Sequence, residues 1–90
     1  MSKTIYIKDL TNDNDYELTV EDNITISQLK VLIGNKIGRQ IQNKLMIKKN
    51  HRNNPTSLND ENLTVKKAHI KNGDTIIVGK VQVQGGLLLY

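Results

Sequence analysis

Two short segments near the start of the chain alternate apolar and polar residues with the period of a β-strand. The first is Ile5-Tyr6-Ile7-Lys8 and the second is Tyr16-Glu17-Leu18-Thr19-Val20. The cluster Asn12-Asp13-Asn14-Asp15 lies between them, and such polar residues are typical of a turn. The pattern therefore predicts a β-hairpin in which each strand buries one face.

A helix of about three turns is predicted after this hairpin. Thr25 and Gln28 have the spacing of a capping box, and Gly38 stands where a left-handed residue would end the helix. Between these ends the apolar residues recur at helical spacing and form one stripe: Ile26, Leu29, Ile33 and Ile37. Gly34, inside the predicted helix, is interpreted as a weak point that costs up to about 1 kcal/mol relative to Ala.

Two further strands are predicted in the second half of the chain. Leu45-Met46-Ile47 is a short strand, and the polar stretch from Lys48 to Ser57 is predicted to be a loop with nothing to anchor it. Thr75-Ile76-Ile77-Val78 follows an Asn-Gly turn signal and is the most continuously apolar segment, so it is predicted to lie centrally in the sheet.

The order of these elements predicts an α+β fold. The helix must bury its apolar stripe on the hairpin, and the last strand can then run parallel to the first, between the first and the third. We therefore expect one main helix across a mixed sheet of four to five strands. Its stripe should contact a set of apolar strand residues: Ile5, Ile7, Leu18, Val20, Leu45, Ile76 and Val78.

This ordered set resembles ubiquitin and its relatives, the β-grasp family, over nearly the whole chain. The segment from Ile5 to Thr11 is similar to the family's first strand and turn, and the segment from Thr25 to Gly38 to its helix. Lys44 to Ile47 is similar to the third strand, and Gly85-Gly86 stands where the family carries its diglycine. The resemblance implies a ubiquitin-like domain over residues 1–80 and a flexible tail over residues 81–90.

The diglycine implies a covalent function, because in this family the last glycine's carboxylate is joined to an amine or loaded with sulfur. The resemblance thus implies a ubiquitin-like modifier in precursor form, or one unit of an array, conjugated through Gly86 after removal of residues 87–90. Two alternatives stay open: a non-conjugated domain that docks on partner proteins, and a sulfur carrier of the same fold. The segment before Gly85 lacks the arginines of ubiquitin's tail, which weighs against handling by the ordinary ubiquitin-activating machinery.

The resemblance also implies a partner-binding surface that contains Leu10, Lys44, Met46 and Ile77. Leu10 and Met46 match two members of the exposed apolar patch that ubiquitin presents to its partners. Ile77 stands where the family has a histidine, and Gly79 where it has a valine of the patch. The alternative interpretation is a few isolated apolar residues on a surface, which are common in proteins.

The composition and motifs of the chain limit the enzymatic, metal-binding and nucleic-acid-binding functions that can be expected. The chain has no cysteine, and no Ser-His-Asp grouping, phosphate-binding loop or dinucleotide fingerprint, so no enzymatic activity is expected. The two histidines, His51 and His69, lack the spacing of a metal site, and neither a metal nor a cofactor is expected. The aromatic fraction of 3% leaves the basic residues without aromatic neighbours for base stacking, so they are interpreted as a solvated face.

The expected partners are therefore proteins: activating and conjugating enzymes, a processing protease and ubiquitin-binding-type domains. Residues 1–22 hold six acidic and two basic residues although the whole chain has a net charge of +4, and such a polarised surface favours protein binding. Neither nucleic acid nor membrane is expected as a partner, and the chain is expected to be a monomer. The N-terminal sequence has no secretory signature, so the expected location is the cytoplasm, the nucleus or both.

Overall fold

Five strands and one helix form the fold, which is described here from a computed structural model for residues 2–49 and 54–79. In chain order the elements are β1 (Ser2–Asp9), β2 (Asn14–Glu21), α1 (Ile26–Ile37), β3 (Met46–Lys48), β4 (Thr56–Ser57) and β5 (Thr75–Val78). The tail that contains Gly85 and Gly86 lies outside the described residues, as do His51 and Arg52.

The strands form one mixed sheet in the order β2-β1-β5-β3-β4. β1 is antiparallel to β2 and parallel to β5, whereas β3 is antiparallel to both β5 and β4. The most apolar strand, β5, thus lies at the centre of the sheet, between β1 and β3. This topology confirms the predicted α+β fold and the ubiquitin-like β-grasp arrangement.

The helix begins and ends where the sequence predicts. The Thr25 hydroxyl accepts a hydrogen bond from the Gln28 N–H at 3.2 Å, and the Thr25 N–H donates to the Gln28 side chain at 2.8 Å. Gly38 has a φ of 89°, a left-handed conformation that glycine adopts without steric cost, and its N–H donates to the Gly34 carbonyl at 2.8 Å. The capping box and the glycine terminator are therefore both confirmed.

The helix packs on one face of the sheet, which we call the inner face, and the core between them is aliphatic. Ile26, Leu29 and Ile33 of α1 are fully buried. The strand residues predicted to contact the helix all belong to this core or pack against it, and among them only Leu18 is partly buried. Later parts of the chain complete the core with further buried residues: Ile47, Leu58, Val65 and Ile70.

The loop predicted from Lys48 to Ser57 is shorter than expected, because Lys48 belongs to β3 and Thr56–Ser57 form β4. Thr56 and Ser57 form β4, whose partners on β3 are Ile47 and Met46. Lys49 also donates to the Asp74 carboxylate at 2.7 Å, which anchors the chain directly after β3. The loop prediction was wrong at its end because both residues of β4 are exposed and give no apolar signal; cross-strand hydrogen bonds alone define this strand.

The structure reverses the interpretation of Gly34 as a weak point. A Cβ atom on Gly34 would lie 2.7 Å from the Arg39 carbonyl oxygen, which is closer than such atoms approach one another. The chain turns back here because the Gly34 carbonyl accepts hydrogen bonds from both Gly38 N–H and Arg39 N–H, at 2.8 and 3.0 Å. Glycine is therefore required at this helical position.

We expect Gly34→Ala to lower the free energy of unfolding by about 1–3 kcal/mol, because the added methyl group displaces the backbone at Arg39. This loss should exceed the gain of up to about 1 kcal/mol from the better helix propensity of Ala. Asn35→Ala, at the next and exposed position of α1, is the matched control and should be neutral or slightly stabilising. Urea denaturation measures both, and a Gly34→Ala protein more stable than the parent would contradict this account.

Candidate functional site

The face of the sheet opposite α1 carries most of the predicted partner-binding residues; we call it the outer face. Strand register places its side chains in two rows that run across the strands. One row is Asp15, Lys8, Ile77, Met46 and Ser57; the other is Glu17, Tyr6, Thr75 and Lys48. Because successive strand residues point to opposite sides of a sheet, these rows alternate with the rows that form the core.

The apolar part of the outer face is small. Tyr6 is 45% exposed, Leu10 and Met46 are half-buried, and Ile77 is 8% exposed. Leu10 and Ile77 line the same shallow depression, and Met46 pairs with Ile77 across the sheet. The structure thus brings together three of the four predicted binding residues. The fourth, Lys44, is exposed and precedes β3 by two residues, outside the paired strands.

The charges of the outer face are separated. Lys8, on β1 next to β2, lies 3.0 Å from the Asp13 carboxylate and 3.6 Å from that of Asp15. The hydrogen bond to Asp13 and the two negative charges raise the pKa of Lys8. These exposed pairs add little stability but cancel the charge of Lys8. Lys48 on β3, in contrast, has no acidic partner within residues 2–49 and 54–79.

A buried ion pair lies behind the outer face at the end of β1. The Asp9 side chain is fully buried and accepts two hydrogen bonds from the Arg39 guanidinium, at 2.5 and 2.8 Å. It also accepts a hydrogen bond from the Thr11 N–H at 3.1 Å. The hydrogen bonds from Arg39 lower the pKa of Asp9, helped by Thr11 and opposed by burial, and the same contact raises the pKa of Arg39. Both groups are therefore charged at neutral pH.

This ion pair fixes the position of Leu10. Leu10 lies between Asp9 and Thr11, and Arg39 also donates to the Thr11 hydroxyl at 3.2 Å. The Leu10 N–H itself donates to the Val78 carbonyl at 3.0 Å. The turn after β1 is thus tied both to β5 and to the segment that follows α1, which fixes the backbone at Leu10.

Several of these residues were not predicted from the sequence, although three of them, Tyr6, Lys8 and Asp9, carry a signal there. Tyr6 and Lys8 are the outward positions of the alternating first strand, so the period-2 pattern places them on the outer face. Asp9 shares the inward parity of Ile5 and Ile7, and a charged residue at an inward position indicates a buried ion pair. Its partner, Arg39, has no comparable signal because it lies 30 residues away.

The structure gives two further observations on chemistry. Within residues 2–49 and 54–79, no three histidine or acidic side chains come together in a way that could hold a metal ion. Over the same ranges, no helix is long and apolar enough to cross a membrane. His69 is exposed.

Comparisons with known proteins agree with the fold. Residues 2–85 match the family model of the USP40 ubiquitin-like domain. The C-terminal ubiquitin-like domain of mouse tubulin-specific chaperone e is 17% identical, with a TM-score of 0.76 over 94% of this chain and 92% of that domain. The UBL domain of Plasmodium falciparum Dsk2 is 14% identical, with a TM-score of 0.60 over 88% of this chain and 100% of that domain.

A designed protein based on human erythrocytic ubiquitin has a higher identity of 26%. Its TM-score is 0.67, over 96% of this chain and 99% of the designed one. No match is found among curated protein sequences. The likeness to the solved structures thus concerns the fold, and the family match covers the whole described part of the chain.

Proposed function

Since the chain belongs to the USP40 ubiquitin-like domain family, we propose that it is a docking domain that binds partner proteins without covalent attachment, through its outer face. The observation that carries the proposal is the grouping of Leu10, Met46 and Ile77 beside the exposed Tyr6 on a rigid sheet. Aromatic residues and methionine are enriched at protein interfaces, where they are buried with little loss of conformational freedom.

Two further points support docking. The buried Asp9–Arg39 pair holds Leu10 in place before a partner arrives, and such preorganisation lowers the entropic cost of binding. In addition, the similar domains from the mouse chaperone and from Dsk2 are each named as one domain of a protein. A docking domain needs no reactive group, and we propose that the chain has no catalytic activity and acts in the cytoplasm, the nucleus or both.

Site-specific photo-crosslinking tests this proposal. A photoreactive phenylalanine analogue replaces Tyr6 on the outer face or, as the matched control, Val31, which is 63% exposed on α1 at the opposite side. In cells of the source organism, the Tyr6 position should give discrete adducts with partner proteins and the Val31 position should not. Equal adducts from both positions, or adducts from Val31 alone, would contradict docking through the outer face.

Affinity measurements with a partner identified in this way make the test quantitative. We expect the double variant Leu10→Ser/Met46→Ser to bind at least tenfold more weakly, because it removes half-buried apolar contacts. The control variant Val31→Ser should bind like the parent. Calorimetric titration gives the dissociation constants, and circular dichroism verifies that both variants are folded.

The second candidate function is that of a modifier conjugated through Gly86. The observation in its favour is the diglycine Gly85-Gly86 beyond the last strand, in the position where the ubiquitin family carries it. Conjugation or sulfur loading requires removal of residues 87–90, since both use the free carboxylate of the last glycine. Docking and conjugation differ in one measurable respect: only conjugation yields a covalent bond that survives denaturation.

A further inference from the structure

The depression on the outer face has an acidic end and a basic end. It begins beside Leu10 and Asp15, crosses β1 and β5, and ends at Lys48 and Pro55. Asp15 lies on β2 and Lys48 on β3, three strands apart in the sheet. With strands about 4.8 Å apart, the two residues are about 14 Å apart in the direction across the strands.

The two ends differ in net charge as well as in single residues. At the β2 end, Asp13, Asp15 and Glu17 outnumber the one lysine that lies among them, Lys8. All three carboxylates belong to exposed residues. At the β3 end, Lys48 is exposed and, within the described ranges, has no acidic partner. The apolar residues of the outer face, centred on Ile77, lie between these ends.

We propose that the outer face binds an extended segment of a partner protein with a basic residue at one end, apolar residues in the middle and an acidic residue at the other end. This inference rests on the proposed docking function and adds the chemistry of the partner to it. An extended chain advances about 3.3 Å per residue, so the two charged residues lie four positions apart. The basic residue contacts Asp15 and its neighbours, and the acidic residue contacts Lys48.

A second copy of this chain fits the outer face less well than a short segment does. A stable dimer buries about 800 Å² on each partner. Here Ile77 is almost completely buried already, Leu10 and Met46 are half-buried, and Tyr6 alone among these apolar residues is well exposed. The small apolar area suits a short segment, and the separated charges select among segments, because charge complementarity contributes more to specificity than to affinity.

Three capped pentapeptides with the same apolar middle test the proposal. The first has a lysine and a glutamate at its ends, the second two lysines and the third two glutamates. Each is titrated into the ¹⁵N-labelled full chain at an ionic strength of about 10 mM, where the Debye length is about 30 Å. The Lys/Glu peptide should shift outer-face resonances and bind at least threefold more tightly than either like-charged peptide.

The variant Lys48→Glu should reverse this preference, so that the Lys/Lys peptide binds best. Lys36→Glu changes the same kind of charge at an exposed position in the last turn of α1 and should leave the order of affinities unchanged. The proposal would be overturned if the three peptides bound with equal affinity or not at all. It would also be overturned if binding shifted only the resonances of α1, or if the two variants had equal effects on the affinities. Dimerisation through this face in sedimentation experiments would overturn it as well.

The proposal and the docking function can fail separately. Suppose that Leu10→Ser/Met46→Ser abolishes binding of a natural partner, while the three peptides bind with equal affinity. Docking through the outer face then stands, and the proposed charge pattern of the bound segment is wrong. If the double variant binds its partner like the parent, both are wrong, whatever the peptides show.

Discussion

Replacing Leu29 with Ala should lower the free energy of unfolding by about 2–5 kcal/mol, the range for truncation of a fully buried leucine. Leu29 is 0% exposed and belongs to the apolar stripe of α1, which packs on the inner face of the sheet. Chemical denaturation followed by circular dichroism measures the loss.

Val31 provides the control because it lies in the same helix but is 63% exposed. Val31→Ala should change the stability by less than about 0.5 kcal/mol, and the better helix propensity of Ala favours the variant. The assignment of the core would be wrong if Leu29→Ala were as stable as the parent, or if the two variants lost equal stability.

Replacing Arg39 with Met should lower the free energy of unfolding by about 3 kcal/mol at neutral pH. The variant leaves the Asp9 carboxylate buried without its cationic partner, and breaking a buried ion pair on one side is strongly destabilising. The estimate is at the low end of the usual range because the Arg39 side chain is 27% exposed. The double variant Asp9→Leu/Arg39→Met, which removes both charges, should recover most of this loss.

The loss of stability caused by Arg39→Met should become smaller at acidic pH if it arises from the broken Asp9–Arg39 ion pair. In the parent, the lowered pKa of Asp9 contributes stability that is present above a pH of about 4 and is lost as the pH falls through the pKa of the folded state. In the variant, burial without Arg39 raises the pKa of Asp9, so protonation relieves the buried charge. The stability difference between the two proteins should therefore begin to shrink above a pH of about 4, where Asp9 of the variant takes up a proton, and continue to shrink below it, until Asp9 of the parent is protonated as well. A constant difference from neutral to acidic pH would contradict the role of the ion pair.

The elements that the sequence predicts well are those encoded by neighbouring residues. Period-2 alternation defines β1 and β2, and Thr25, Gln28 and Gly38 define both ends of α1, because each signal involves residues within about four positions. The position of β5 in the centre of the sheet follows from its continuous apolar sequence. Leu10, Met46 and Ile77 are predicted as partner-binding residues only by resemblance to a family, since no periodicity singles them out.

The features that the sequence does not predict depend on contacts between distant or exposed positions. β4 has two exposed residues and is defined only by hydrogen bonds with β3. The requirement for glycine at position 34 arises because the chain turns back at Arg39, a consequence of how the helix ends in three dimensions. The partner of Asp9 and the charge separation across the outer face likewise follow from the order of the strands and from the register between them.

Docking without covalent attachment is tested most directly by comparing native and denaturing purification of the tagged full chain from cells of the source organism. Intact mass spectrometry is applied to the parent, to Gly86→Ala and to Leu10→Ser/Met46→Ser. We expect partners to co-purify natively with the parent and with Gly86→Ala but not with the double variant, and no added mass to survive denaturation. Adducts that survive denaturation in the parent and are absent from Gly86→Ala would contradict docking and establish conjugation through Gly86.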